Sequence, residues 1–175
     1  MNRRISISLA WLIVLVLFAV AGLLLRHDIN VFQETSSRGP IGKQAPDGTV
    51  LALDGHSTRL AAYHGRALWL NFFATWCRPC RAEMPAIEIE YRRFHRDGLE
   101  VLGVDQQEDR ARVAAFVKPF GLSFPLAIDQ GALAQTYGVI AIPTSVFIDR
   151  SGIVRAVHIG AMDPAQMEAD LKKIM

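Results

Sequence analysis

The sequence predicts an α/β domain, a central mixed sheet flanked by helices and opened by a β-hairpin, behind one N-terminal transmembrane helix. Three observations predict it. The only two cysteines stand in Trp76-Cys77-Arg78-Pro79-Cys80, where the apolar run Ala67-Leu68-Trp69-Leu70-Asn71-Phe72-Phe73 gives way to the helix-compatible Arg81-Ala82-Glu83. From there strand and helix patterns alternate before a closing hairpin, the order of a mixed sheet with crossover helices. At the other end, Ile5 to Leu25 is a run of 21 residues with no charge.

That run, as a helix rising about 1.5 Å per residue, covers roughly 30 Å, the hydrocarbon thickness of a bilayer. Arg3 and Arg4 precede it, so the positive-inside rule expects a cytoplasmic N-terminus and an extracytoplasmic remainder, an asymmetry that Arg26 weakens a little. A cleavable signal peptide competes, because Ala19-Val20-Ala21 resembles a cleavage site. Against cleavage, Leu23-Leu24-Leu25 follows at once and would leave an apolar terminus; no cysteine follows the span to carry a lipid. Residues 27–44 are polar and hold Ser36, Ser37, Gly39, Pro40 and Gly42, a flexible tether. The expected organisation is an anchor over 1–26, a linker over 27–44 and a folded domain over 45–175.

Within the domain, Thr49 to Leu53 and Ser57 to Leu60 flank Asp54-Gly55 and read as a hairpin, since Asp-Gly suits the positive φ of a tight turn. Ala67 to Phe73 is apolar on both faces and so reads as a central strand. A helix follows from about Cys77 to His95, carrying Pro85 and stopping at Asp97-Gly98. Leu99 to Val104 is the next buried strand and Glu108 to about Pro119 the next helix, which implies parallel pairing through a right-handed crossover. A short strand lies around Phe124 to Ile128 and a short helix from Ala132 to Tyr137, ended by Gly138. Thr144 to Ile148 and Ile153 to His158 flank Asp149-Arg150-Ser151-Gly152 as an antiparallel hairpin. Asp163 as N-cap and Pro164 at the first position open a last helix to about Ile174.

Strand, turn and helix N-terminus place Cys77 where free backbone N–H groups and the helix dipole favour an anion. A thiolate is that anion and the nucleophile of disulfide exchange; the helix end and Arg78 should lower its pKa from the free value of about 8.5. Pro79 falls at an early helical position where a missing N–H costs nothing. Two intervening residues let the pair close a small ring reversibly. A plain crosslink or half of a metal site are the competing readings, but zinc needs roughly four ligands. The five histidines, His27, His56, His64, His95 and His158, show no ligand spacing. The formal charge of +2 comes with no basic stripe, so no nucleic-acid partner is expected.

Together with Gly42-Lys43-Gln44-Ala45-Pro46, the stretch Leu70 to Pro85, Tyr137-Gly138-Val139 with Ile142-Pro143-Thr144, and Phe147-Ile148-Asp149 with Gly152, this order of elements resembles the thioredoxin fold. More narrowly it is similar to the TlpA/ResA group of membrane-anchored thioredoxin-like proteins, from about Gly42 to the end. The early hairpin resembles the addition that group makes to the bare thioredoxin core. The resemblance implies that Cys77 attacks and Cys80 resolves, as a redox-active disulfide. Pro143 aligns with the cis-proline facing the dithiol, leaving the Ile142 backbone free to pair with a substrate segment; an ordinary trans turn proline is the alternative. Asn71 stands where cytosolic thioredoxins carry a buried Asp, and because Asn accepts no proton another group must assist the Cys80 thiol. Glu83, one turn after Cys80, is the candidate, against a solvated helix charge. Arg78 departs from the acidic residue some ResA-like proteins place between the cysteines. A peroxiredoxin pattern is missing: Ala74 and Leu70 stand where it needs Thr or Ser, and Pro.

The expected function is that of a thiol–disulfide oxidoreductase, single-pass in a bacterial inner membrane with its domain on the periplasmic side. It would reduce particular protein disulfides, as in cytochrome c maturation, and be re-reduced by a membrane electron donor. No cofactor is expected, since the two thiols suffice. A disulfide-donating oxidase is one alternative; a copper-binding chaperone using the thiols with a third ligand such as Met84 is another. For Tyr63, Trp69 and Phe73 packing is the default.

Overall fold

A computed structural model describes residues 41–175 together with Trp11, residues 14–17 and Val20, which are helical and exposed. Most of the Ile5 to Leu25 span and of the 27–44 linker lies outside the described residues. Among the described residues no helix is long and apolar enough to cross a membrane.

Seven strands form one sheet: β1 (Thr49–Ala52), β2 (Ser57–Arg59), β3 (Ala67–Phe73), β4 (Leu99–Gln106), β5 (Leu126–Asp129), β6 (Thr144–Ile148) and β7 (Val154–Ile159), in the spatial order β2-β1-β5-β4-β3-β6-β7. The helices are α1 (Arg78–Phe94), α2 (Arg110–Phe120), α3 (Ala132–Thr136) and α4 (Pro164–Leu171). β3, β4 and β5 run parallel, while β6, β7 and the first hairpin are antiparallel, so the sheet is mixed. Every residue of β3 is buried, as its unbroken apolar run requires of a strand covered on both faces.

The alternation of β3 divides the core. Trp69 and Phe73 point to the side where Cys77, Cys80, Met84 and Ile87 of α1, Val113 of α2 and Met167 and Leu171 of α4 pack. Leu68, Leu70 and Phe72 point to the other, against Leu60, Leu133 and Tyr137. Both crossovers, β3-α1-β4 and β4-α2-β5, therefore lie on the dithiol side, as two right-handed connections stepping the same way must.

Several boundaries differ from the sequence reading. Leu60 leaves the second strand and opens a 3-10 turn, Leu60–Tyr63, that buries it. β4 extends to Gln106, and α2 begins at Arg110 with Asp109 as its N-cap, which leaves Glu108 in the connecting loop. β5 starts at Leu126, not Phe124. The last helix stops at Leu171 because Lys173 and Ile174 bond three residues back instead of four. Pairing of the domain starts before Ala45: Gly42 N–H donates to Val154 O at 2.8 Å, and Val154 N–H to Lys43 O at 3.0 Å.

Candidate dithiol active site

β3 delivers the chain to the end of the sheet where β4 and β5 also finish and where β6 starts, since Phe72 lies opposite Thr144. The loop Ala74-Thr75-Trp76 turns tightly, with Cys77 N–H donating to Ala74 O at 3.1 Å. Cys77 is the N-cap of α1, and its sulfur accepts from Cys80 N–H at 3.3 Å, one of the four N–H groups that a helix start leaves unpaired. A sulfur in that seat is favoured as an anion by the same groups and by the dipole. Arg78 and Pro79 occupy the first two helical positions, both exposed.

The cysteines are joined, with Sγ to Sγ at 2.02 Å and the Cα atoms 5.3 Å apart. Cys77 keeps 4% of its surface and Cys80 none, so of the two residues only Cys77 reaches the surface. Trp76, 68% exposed, stands beside it. The Ile142–Pro143 bond is cis, and this loop enters β6 at the same end of the sheet as the dithiol. Ile142 is half-buried between the two core clusters, while Ile140 is exposed.

One helical turn beyond Cys80, on the dithiol side of β3, lies a polar network inside an apolar core. Asn71, fully buried, donates from Nδ2 to Glu83 Oε1 at 2.9 Å and to Ser145 Oγ at 3.2 Å. Trp69 Nε1 donates to the same hydroxyl at 2.8 Å, and Met162 N–H to Glu83 Oε2 at 3.2 Å. Glu83 is thus no solvated helix charge: it is 3% exposed. Burial pushes its carboxyl up, and the bonds from Asn71 and Met162 pull it part of the way back. Asn71 Oδ1 has no partner among the described residues. Tyr63 is half-buried, and Trp69 and Phe73 are core.

A second group of carboxyls holds the active-site loop from the β4 side. Glu108 accepts from Thr75 N–H and, at 2.7 Å, from Thr75 Oγ1. Asp105, with no exposed surface, accepts from Glu108 N–H at 2.9 Å. Burial, and then the Glu108 carboxyl beside it, push Asp105 up to about 7. Burial acts on Glu108 in the same sense, but Thr75, Asp105 and Arg112 outweigh it and hold Glu108 below the usual carboxylate range. Sequence reasoning missed Thr75, Ser145, Asp105 and Glu108; the one available signal was an acidic residue closing the apolar strand 99–104. Met84 packs in the same cluster as the two cysteines. Among the described residues no group of three or more His, Cys, Asp or Glu is placed to hold a metal ion.

A mixed thioredoxin-like sheet, a Cys-x-x-Cys pair capping the helix after its central strand, and a cis-proline loop at the same sheet end define a thiol–disulfide oxidoreductase of thioredoxin type. The chain belongs to the AhpC/TSA family, whose model matches residues 41–157, and within it to the ResA-like thiol–disulfide oxidoreductases. It is similar to thiol-disulfide oxidoreductase ResA of Bacillus thuringiensis subsp. konkukian, 42% identical over 135 residues that cover 77% of this chain and 78% of that one. With ResA of Geobacillus kaustophilus it shares 35% over 175 residues, 99% of each chain. A solved thioredoxin-family thiol:disulfide interchange protein from Chlorobium tepidum superposes with a TM-score of 0.69 at 29% identity, covering 79% of this chain and 97% of that one.

Proposed function

We propose that this chain is a membrane-anchored, extracytoplasmic reductase of particular protein disulfides. The observation that carries a protein substrate is the asymmetry of the pair. Cys77 meets the surface beside an exposed Trp76, while Cys80 is sealed below it. The Cys77 thiolate attacks one sulfur of a target disulfide, forming a mixed disulfide and releasing one target thiolate. Cys80, once deprotonated, attacks the Cys77 sulfur, breaks the mixed disulfide and frees the second target thiol. Two electrons pass to the target, and the Cys77–Cys80 disulfide remains. Glu83, buried one helical turn beyond Cys80 with a raised proton affinity, takes the Cys80 proton in place of the Asp that Asn71 replaces. The charge-free run behind Arg3 and Arg4 supports an outward-facing domain, where a membrane electron donor restores the dithiol. Cytochrome c maturation is the assembly step that the ResA likeness favours.

The test is the equilibrium reduction potential of the full-length chain in mild detergent against glutathione and dithiothreitol couples. A value near about −250 mV or below, in the thioredoxin range, is expected; one near about −120 mV marks an oxidant and overturns the direction of electron flow. Cys80→Ser serves as the control, because it stops the reaction at the mixed disulfide.

A further inference from the structure

We propose that Asp105 and Glu108 act together as a proton-controlled clamp on the active-site loop, positioning Cys77 through Thr75. The inference rests on the oxidoreductase class alone and holds for either direction of electron flow. Phe73 and Asp105 are register partners in the parallel β3–β4 ladder, so their side chains share a face. Phe73 packs with Cys77 and Cys80, which puts Asp105 on the dithiol side, at the strand end from which the 74–76 loop departs.

There Glu108 uses one oxygen on the Thr75 N–H and the other on the Thr75 hydroxyl. These are the loop's side-chain anchors, two residues ahead of the nucleophile. Asp105 Oδ1 takes the Glu108 N–H, while Oδ2 is fully buried without a partner among the described residues. A carboxylate oxygen sealed from water beside a second carboxyl is costly as an anion and is satisfied once it carries a proton, which it then donates to Glu108. In that state the pair holds one charge, and Glu108 is oriented from one side by Asp105 and from the other by Thr75. Loss of the proton sets two carboxylates against each other, and the member that yields is Glu108, whose carboxylate has, besides Thr75, only exposed Arg112 at 3.4 Å among the described residues. Glu108 then leaves Thr75 and the loop loosens.

Among the described residues, the charges around the pair do not supply a substitute for that proton. From α2, Arg112 reaches Glu108 only, and the Asp109 carboxylate is committed to the Ala111 and Arg112 N–H groups. From α1, Arg81 lies over the Phe116 ring. From β5, Asp129 has both oxygens on the Leu133 and Ala134 N–H groups. The proton affinity of Asp105, raised into the neutral range, puts the change within the working range of disulfide exchange.

The experiment follows amide exchange at Thr75 and iodoacetamide alkylation of Cys77 in the reduced full-length chain between pH 5 and 9. Wild type, Asp105→Asn and Glu108→Gln are compared. In wild type, Thr75 protection, after division by the intrinsic exchange rate, should fall about tenfold across neutral pH, the scale of one bond to a charged acceptor. The alkylation profile should show a second limb there besides the Cys77 titration. Asp105→Asn keeps a donor facing Glu108 at every pH, so protection stays flat and the second limb disappears. Glu108→Gln lowers Thr75 protection at all pH values. Superimposable wild-type and Asp105→Asn profiles, or wild-type Thr75 protection that does not change with pH, would overturn the proposal; the wild-type measurement stands even if a variant fails to fold.

Discussion

Replacing Glu83 by Ala and by Gln should separate packing from proton chemistry one helical turn beyond Cys80. Glu83→Ala removes the acceptors of two buried donors, Asn71 Nδ2 and Met162 N–H. Each orphaned donor costs about 1 to 3 kcal/mol, so the loss is about 2 to 6 kcal/mol, a large part of the roughly 5 to 15 kcal/mol that holds a domain together. Glu83→Gln keeps the shape and one carbonyl acceptor. Its one carbonyl oxygen can accept from only one of the two donors, Asn71 Nδ2 or Met162 N–H, so the other loses its partner. The expected cost is therefore about 1 to 3 kcal/mol, roughly half that of Glu83→Ala. The pH dependence carries the sign. Because the folded carboxyl is raised, folded Glu83 binds its proton more tightly than the unfolded chain does. That contribution to stability is complete below the unfolded pKa and is lost as pH rises through the folded one. Urea midpoints of the oxidised protein should thus show wild type losing ground to Glu83→Gln as pH rises. Equal midpoints for the Ala and Gln variants, or a constant gap between wild type and Glu83→Gln at every pH, would refute this reasoning.

Two further outcomes concern the same core. Ser145→Ala strips the shared acceptor from Trp69 Nε1 and Asn71 Nδ2, and should cost about 2 to 6 kcal/mol by the same count, read as a lower urea midpoint at unchanged slope. Gly103→Ala puts a Cβ 2.2 Å from Leu126 Cδ2 and 3.3 Å from both Phe124 and Phe73; overpacking of about 1 to 3 kcal/mol should lower the melting temperature, and an unchanged melt would show that Leu126 yields freely.

The legible parts of this protein were those that local patterns specify. Two cysteines at the junction of an apolar run and a helix start carry their own chemistry, because the turn, the free N–H groups and the dipole all belong to one short segment. The same holds for the Asp54-Gly55 hairpin, where Gly55 takes φ 95°, and for the Asp163 cap, which closes a full capping box with Gln166. The period of 2 in β3 is local too, though its meaning is not: it sorts side chains onto two faces without saying what covers each.

The tertiary structure decided everything that depends on residues far apart in the chain. It set the first hairpin against β5 at one edge and Gly42 to Gln44 against β7 at the other. It buried Glu83 by bringing up Met162, 79 residues away, and gave Asn71 and Trp69 one hydroxyl from β6. It also turned Glu108, which the helical pattern claimed, into the anchor of Thr75. A polar side chain announces in sequence that it needs partners, but only packing decides whether water or a buried group supplies them, and that decision makes a surface charge into part of a site.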